Sequence, residues 1–236
     1  MKYFYAFLFV FPSLFQTQIL ERYPQGQTDY VGGNAQFFKD FHKIVTEKKM
    51  QPCENKDEYY NFRIVVYPDA TIKYVKDEDP AMAEKNKCAF DLTRNVAKYM
   101  KGWNPATENG QKVAALTSFW IFPDDLFENY KEGYDSSELI SSAEFKGGFN
   151  ELRKKIANRI DLNGFNANGR FTLVATFVVN TEGKIEDVKL AESTPNEDFN
   201  RMIISAIKSI KDPWVPAKHR NITLRSHYKL PLAFQF

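Results

Sequence analysis

The apolar positions of the chain change period several times, and each change marks a predicted element. Phe149, Leu152, Ile156 and Ile160 recur every three or four residues, the spacing of one helix face. Residues 170–179, RFTLVATFVV, are apolar and β-branched and predict a strand. Asn180–Gly183 supplies turn chemistry, and Ile185, Val188 and Leu190 then mark a returning strand. Thr194-Pro-Asn-Glu197 fits a capping box ahead of a helix carrying Phe199, Met202, Ile203, Ala206, Ile207 and Ile210, which Asp212-Pro213 stops. Finally Ile222, Leu224, Ser226, Tyr228 and Leu230 alternate with Thr223, Arg225, His227 and Lys229, the pattern of a half-buried strand. The order is helix, strand, strand, helix, strand.

The first half carries the same order. Phe37, Phe41, Ile44 and Val45 predict a helix, 62–67 and 71–76 a hairpin, 89–100 a second helix closed by Gly102, and 113–122 a last strand. Three blocks also match in sequence. GGNAQFFKDFHKIV at Gly32 aligns with GGFNELRKKIANRI at Gly147, an offset of 115 residues. VVYPDATIKYVK at Val65 aligns with VVNTEGKIEDVK at Val178, an offset of 113. Trp103-Asn-Pro105-Ala matches Trp214-Val-Pro216-Ala at 111. Ordered blocks at slowly drifting spacing predict an internal repeat. Each copy is then an α+β domain: a three-stranded antiparallel sheet with two helices on one face. Proline ends the helical path in Trp-x-Pro-Ala, and the tryptophan folds back over the open end of the core. Residues 128–144, charged and serine-rich, read as the linker.

The first residues are of another kind. Lys2 precedes an apolar run of roughly 13 residues, Tyr3 to Phe15, broken by Pro12 and Ser13. A spanning helix needs about 20 apolar residues, whereas a secretory signal needs about 7–15. Residues 1–18 are therefore read as a signal peptide, with an uncleaved anchor as the alternative. Export leads to an oxidising compartment. Cys53 and Cys88, the only two cysteines, are there either bridged or present as buried thiols. They lack the spacing of a zinc site.

The sequence from the GG pair through FVVNTEGKIEDVKLAES and WVPA to YKLPLAF resembles the C-terminal domain of the TonB energy-transducer family, in the versions common in Bacteroidetes-type bacteria. The match is good over 145–236. It is degenerate over 32–127, where Gly32-Gly33, Asn109-Gly110 and Phe122-Pro123 are kept and Ala70 or Thr71 stands where the turn glycine belongs. The resemblance implies a tandem pair of such domains, each α-β-β-α-β, in a periplasmic protein-binding module that contacts outer-membrane transport receptors. In that family the last strand is a sheet edge to which the receptor's N-terminal peptide adds. The matching positions are Ile222, Thr223, Leu224, Arg225, Ser226, His227, Tyr228, Lys229 and Leu230. Only about 12–15 residues separate the apolar start from Gly32, reaching roughly 50 Å at full extension. An inner-membrane tether acting across the periplasm does not fit that length.

Composition narrows the alternatives. The formal net charge is +2, so no broad field for nucleic acid exists. The three histidines, His42, His219 and His227, show no H-E-x-x-H pattern, and Gly-x-Ser-x-Gly and Gly-rich phosphate loops are missing. The adjacent carboxylates at 123–125 and 76–79 read as solvated turns. A non-enzymatic protein without metal or small-molecule cofactor is expected. The alternative is a structural or assembly protein whose domains pair through edge strands as a homodimer.

Overall fold

A computed structural model describes residues 19–76, 80–165 and 169–235. The signal-peptide expectation on 1–18 lies outside the described residues, as do the three acidic residues 77–79. The chain divides into two compact units, the first ending at Ser137 and the second running from Glu138 to Phe236. Both are α+β, with five α-helices and several small antiparallel sheets among the described residues.

The first unit runs α1 (Gly33–Glu47), β1 (Tyr60–Val66), β2 (Ile72–Tyr74), α2 (Pro80–Lys85), α3 (Lys87–Ala97), β3 (Ala106–Glu108), β4 (Gln111–Val113) and β5 (Ala115–Ile121). Phe37, Phe41 and Val45 on α1, Phe62, Ile64 and Val66 on β1, and Val96 on α3 are all buried. Period four on the helix and period two on the strand thus aim at one core. The sheet order is β2-β1-β5. Within it Ile64 faces Thr117, Val66 faces Ala115, and Val66 also faces Ile72.

The second unit runs β6 (Ile140–Ser141), β7 (Glu144–Phe145), α4 (Gly148–Ala157), β8 (Arg170–Val179), β9 (Ile185–Leu190), α5 (Glu197–Lys208), β10 (Trp214–Val215), β11 (Ala217–His219), β12 (Ile222–Leu224) and β13 (Ser226–Gln235). Its main sheet has the order β13-β8-β9. Phe177 faces Tyr228, Val179 faces Ser226, and Val179 also faces Ile185. These pairs are those of the first unit displaced by the offsets read from sequence. The helix entries match as well: Gly32 and Gly147 are the N-caps of α1 and α4, with φ of 84° and 88°.

Several expectations need correction. The strands expected over 113–122 and 222–230 are each two elements. β3 and β4 form a hairpin across Asn109 and Gly110, both at positive φ, as the tightest hairpin turn requires. β11 and β12 form its counterpart, with Ala217 facing Leu224 as Ala106 faces Val113. The helix expected at 89–100 is α3, which ends at Ala97, so Gly102 does not cap it. Gly102 instead makes room for Tyr30, whose ring carbon would lie 2.4 Å from a Cβ there. The cap of α5 is Asn196 and not Thr194: its side chain accepts from the Phe199 N–H at 3.0 Å. Thr194 is engaged with the buried Asn200, whose side-chain amide donates to the Thr194 carbonyl at 2.8 Å.

Residues 128–144, read as a linker, contain packed structure. Tyr134 is buried and its hydroxyl donates to Asp125 at 2.8 Å, while Ser136 and Ala143 are also buried. Residues ahead of α1 are fastened too. Leu20 forms a parallel bridge with Ala115, and Tyr30 an antiparallel one with Trp103.

Candidate partner-binding edge

β13 is the longest end strand in the sheets of the second unit. It is ten residues long and lies at one end of its sheet, paired with β8 from Ser226↔Val179 to Gln235↔Arg170. Which of its backbone groups face β8 follows from the neighbouring ladder. The Val174 carbonyl accepts from Ala191, on the β9 side, and the Asn180 N–H donates to Lys184 on that same side. Even-numbered residues of β8 therefore turn toward β9 and odd-numbered ones toward β13. Through the register, Tyr228, Leu230 and Leu232 face β8, while His227, Lys229, Pro231, Ala233 and Gln235 turn their backbone outward. Pro231 has no N–H and occupies an outward position, where no ladder bond is lost. The same odd-numbered residues are exposed, and Leu230 and Leu232 are buried.

Of the nine residues expected on this edge, the structure brings five together. Ser226, His227, Tyr228, Lys229 and Leu230 lie on β13. Ile222, Thr223 and Leu224 lie on β12 and pair with β11 instead. Arg225, between the two strands, is tied to Glu186 and to Asp187, the latter at 3.3 Å. Asp187 sits at φ 54°, within the irregularity of the β8–β9 ladder, so a local bulge brings its carboxylate to Arg225. The strand continues five residues past Leu230, through PLAF to Gln235, a stretch that the proline concealed.

The motif tryptophans lie inside. Trp103 is 5.3 Å from Tyr30, 5.9 Å from Phe37 and 6.1 Å from Phe119, centroid to centroid. Trp214 is within 5.8 Å of Phe145, Phe149, Phe177 and Tyr228. Such edge-to-face and tilted contacts fill a core and leave no open stacking face. The backbone N–H of Trp214 donates to the Gly183 carbonyl at 2.9 Å. Tyr228 donates its hydroxyl to the Ala143 carbonyl at 2.8 Å, and burial raises its pKa. Pro105 follows the Tyr30–Trp103 bridge and Pro216 follows β10, and they lead into β3 and β11.

Cys53 and Cys88 are bonded to each other, with Cα atoms 5.8 Å apart. Glu58 lies beside them, and the three side chains form a grouping within 4.8 Å that could hold a metal ion only if the bond were reduced. In place of that role, Glu58 accepts from the Ala89 N–H at 3.0 Å, in the first turn of α3. His42 lies in the first unit, stacked on Tyr130, whereas His219 is buried on β11 and His227 is on β13. The disulfide is consistent with an oxidising, extracytoplasmic space. No helix of the described residues is long and apolar enough to cross a membrane.

Comparison with known proteins adds no relative: no family model matches the chain, and neither the curated proteins nor the solved structures give a significant match.

Proposed function

We propose that this chain is a non-enzymatic, periplasmic protein-binding module of the TonB type, built from two tandem copies of one α-β-β-α-β domain, which contacts outer-membrane transport receptors by strand addition. One observation carries the reading: the second unit ends in a ten-residue strand at the margin of its sheet, with five exposed positions turning their backbone outward. An extended peptide laid along it gains main-chain hydrogen bonds with little demand on its side chains. Pro231 interrupts that row of donors, which limits indiscriminate edge-to-edge pairing. The shared strand order and register of the two units support the tandem reading, and the disulfide supports an exported protein.

The test is capture from an outer-membrane extract with the full chain as bait. A plugged-barrel transporter is expected in the bound fraction, and Ala233→Pro is expected to remove it. That substitution deletes an outward N–H and leaves the ladder to β8 intact. Retention of the transporter by Ala233→Pro sinks the reading. A salt-stable homodimer that captures no receptor, and that Ala233→Pro dissociates, establishes the alternative, an assembly protein pairing through the same strand.

A further inference from the structure

β5 is the counterpart of β13 in the first unit, the end strand of the order β2-β1-β5. Its outer margin is already occupied at one end. Leu20 donates its N–H to the Ala114 carbonyl at 2.9 Å and accepts from the Leu116 N–H at 2.8 Å. Because Leu116 faces outward, Ser118 and Trp120 do so as well, and among the described residues no strand lies beside them. After Leu20 the chain turns at Pro24 and runs back across the unit to α1.

That return is held by side-chain and backbone hydrogen bonds along most of its length. The Gln27 side chain pairs with the Thr107 backbone both ways: its Nε2 donates to the carbonyl at 2.7 Å, and its Oε1 accepts from the N–H at 2.7 Å. A side-chain amide here stands in for a strand residue. Asn104 donates its backbone N–H to Asp29 at 3.0 Å and its Nδ2 to the Thr28 carbonyl at 2.8 Å, while the Tyr23 hydroxyl donates to the Asn104 carbonyl at 2.8 Å. Thr117, on β5 itself, donates to the Asp29 carboxylate. Val31 closes the path, donating to the Gly102 carbonyl at 2.8 Å.

We propose that the outer edge of β5 is a second strand-addition site whose built-in occupant is the chain's own segment 19–31. The strap fills the entrance at Ala114–Leu116, and an outside peptide reaches the full edge only when the strap is displaced. With the strap in place only Ser118 to Trp120, about three residues of edge, is left beyond it, the lower limit of a strand. With it lifted the edge runs from Ala114 to Ile121. The occupant defines the partner's chemistry: an extended segment with an apolar residue at the Leu20 position, followed by small polar and amide side chains that pair with backbone. The opened chain therefore offers β5 as a docking edge in addition to β13, and the closed chain withholds it. This inference rests on the reading of the end strands as docking edges.

The experiment uses the full chain and a fluorescent synthetic peptide of residues 19–31. Leu20→Pro removes the donor to Ala114, and Gln27→Ala removes both bonds to Thr107. In the double variant, amide exchange at Leu116 is expected to rise at least tenfold. The peptide is expected to bind it one-to-one, at least tenfold more tightly than it binds the unmodified chain, and to restore protection at Leu116. Gln27→Ala alone keeps every backbone bond of the strap and is expected to shift Leu116 exchange the same way by a few fold, which guards against a double variant that fails to fold. Unchanged exchange at Leu116 in both variants overturns the proposal, as does a peptide that binds without protecting Leu116. Protection is followed separately at Ala233, so failure of receptor binding at β13 and failure of the strap at β5 are read at different residues.

Discussion

Ala70 and Gly183 occupy the same turn position in the two units, with φ of 61° and 76°. The left-handed conformation costs a residue with a Cβ roughly 1 kcal/mol. Ala70→Gly is therefore expected to stabilise the first unit by up to about 1 kcal/mol, an increment readable in urea unfolding. Gly183 is constrained twice, since a Cβ there would lie 2.2 Å from the Trp214 carbonyl oxygen. Gly183→Ala must shift that backbone as well, and a loss of more than about 2 kcal/mol is expected. An equal and small effect at both positions would refute the contrast. Asp29 gives a pH prediction. Burial raises its pKa, with the nearby Asp135 charge adding to the rise, against hydrogen bonds from Thr117 and the backbone that lower it. A raised carboxyl contributes most below its ordinary pKa, and that contribution is lost as pH rises through the folded value. Asp29→Asn keeps an acceptor for Thr117 and carries no charge. Its thermal midpoint is expected to gain on the parent's near pH 7, the difference shrinking as pH falls into the carboxylate range; a difference independent of pH sinks this account.

The caps and hairpins show what can be read from a sequence at the scale of an element. Asn196→Ala, which removes the side chain accepting from Phe199, is expected to cost about 1 kcal/mol in denaturant unfolding, whereas Glu197→Ala, the last position of the expected capping box, is expected to cost little. Equal losses would restore the expected box. Thr194-Pro-Asn-Glu197 is ambiguous because two good caps stand two residues apart, and Asn200 decides between them by engaging Thr194 through contacts six residues apart in the chain. Helix and strand periods were legible wherever one face is buried, as in α1, β1, β8 and α5. The two small hairpins were not, because β3, β4, β11 and β12 are three residues each, too short for a period to register. Asn109-Gly110 was nevertheless a direct signal for the first of them, and the repeat would have carried it to Arg220-Asn221. Five of the nine expected edge residues lie on β13 for the same reason: alternation runs unbroken from Ile222 through Leu230, and only pairing with β11 separates β12. The strap was silent in sequence, since its bonds join Gln27 and Thr107 or Leu20 and Leu116 across the chain, with no periodic signature.

At the scale of the whole chain, the disulfide and the division into units make one prediction together. Cys53 and Cys88 both belong to the first unit, and the loop between them spans 35 residues. Closing such a loop lowers the entropy of the unfolded chain by an amount worth about 4 kcal/mol. That is a large part of the roughly 5–15 kcal/mol that holds a domain folded. The bond also sits where local structure is thin, between the residues after α1 and the first turn of α3, with Glu58 and Asn86 the neighbouring polar anchors. The second unit contains no cysteine and buries its own core of Leu152, Ile156, Phe177, Ile203, Ile207 and Leu230. In Cys53→Ala/Cys88→Ala, amide exchange by global opening is therefore expected to accelerate in β1 and α3 by several hundredfold, since each 1.4 kcal/mol is a factor of ten. Exchange in β8 and α5 is expected to stay at the parent rate. If β8 loses protection in step with β1, the two units unfold as one cooperative body, and their likeness in strand order and register reflects no independence in stability.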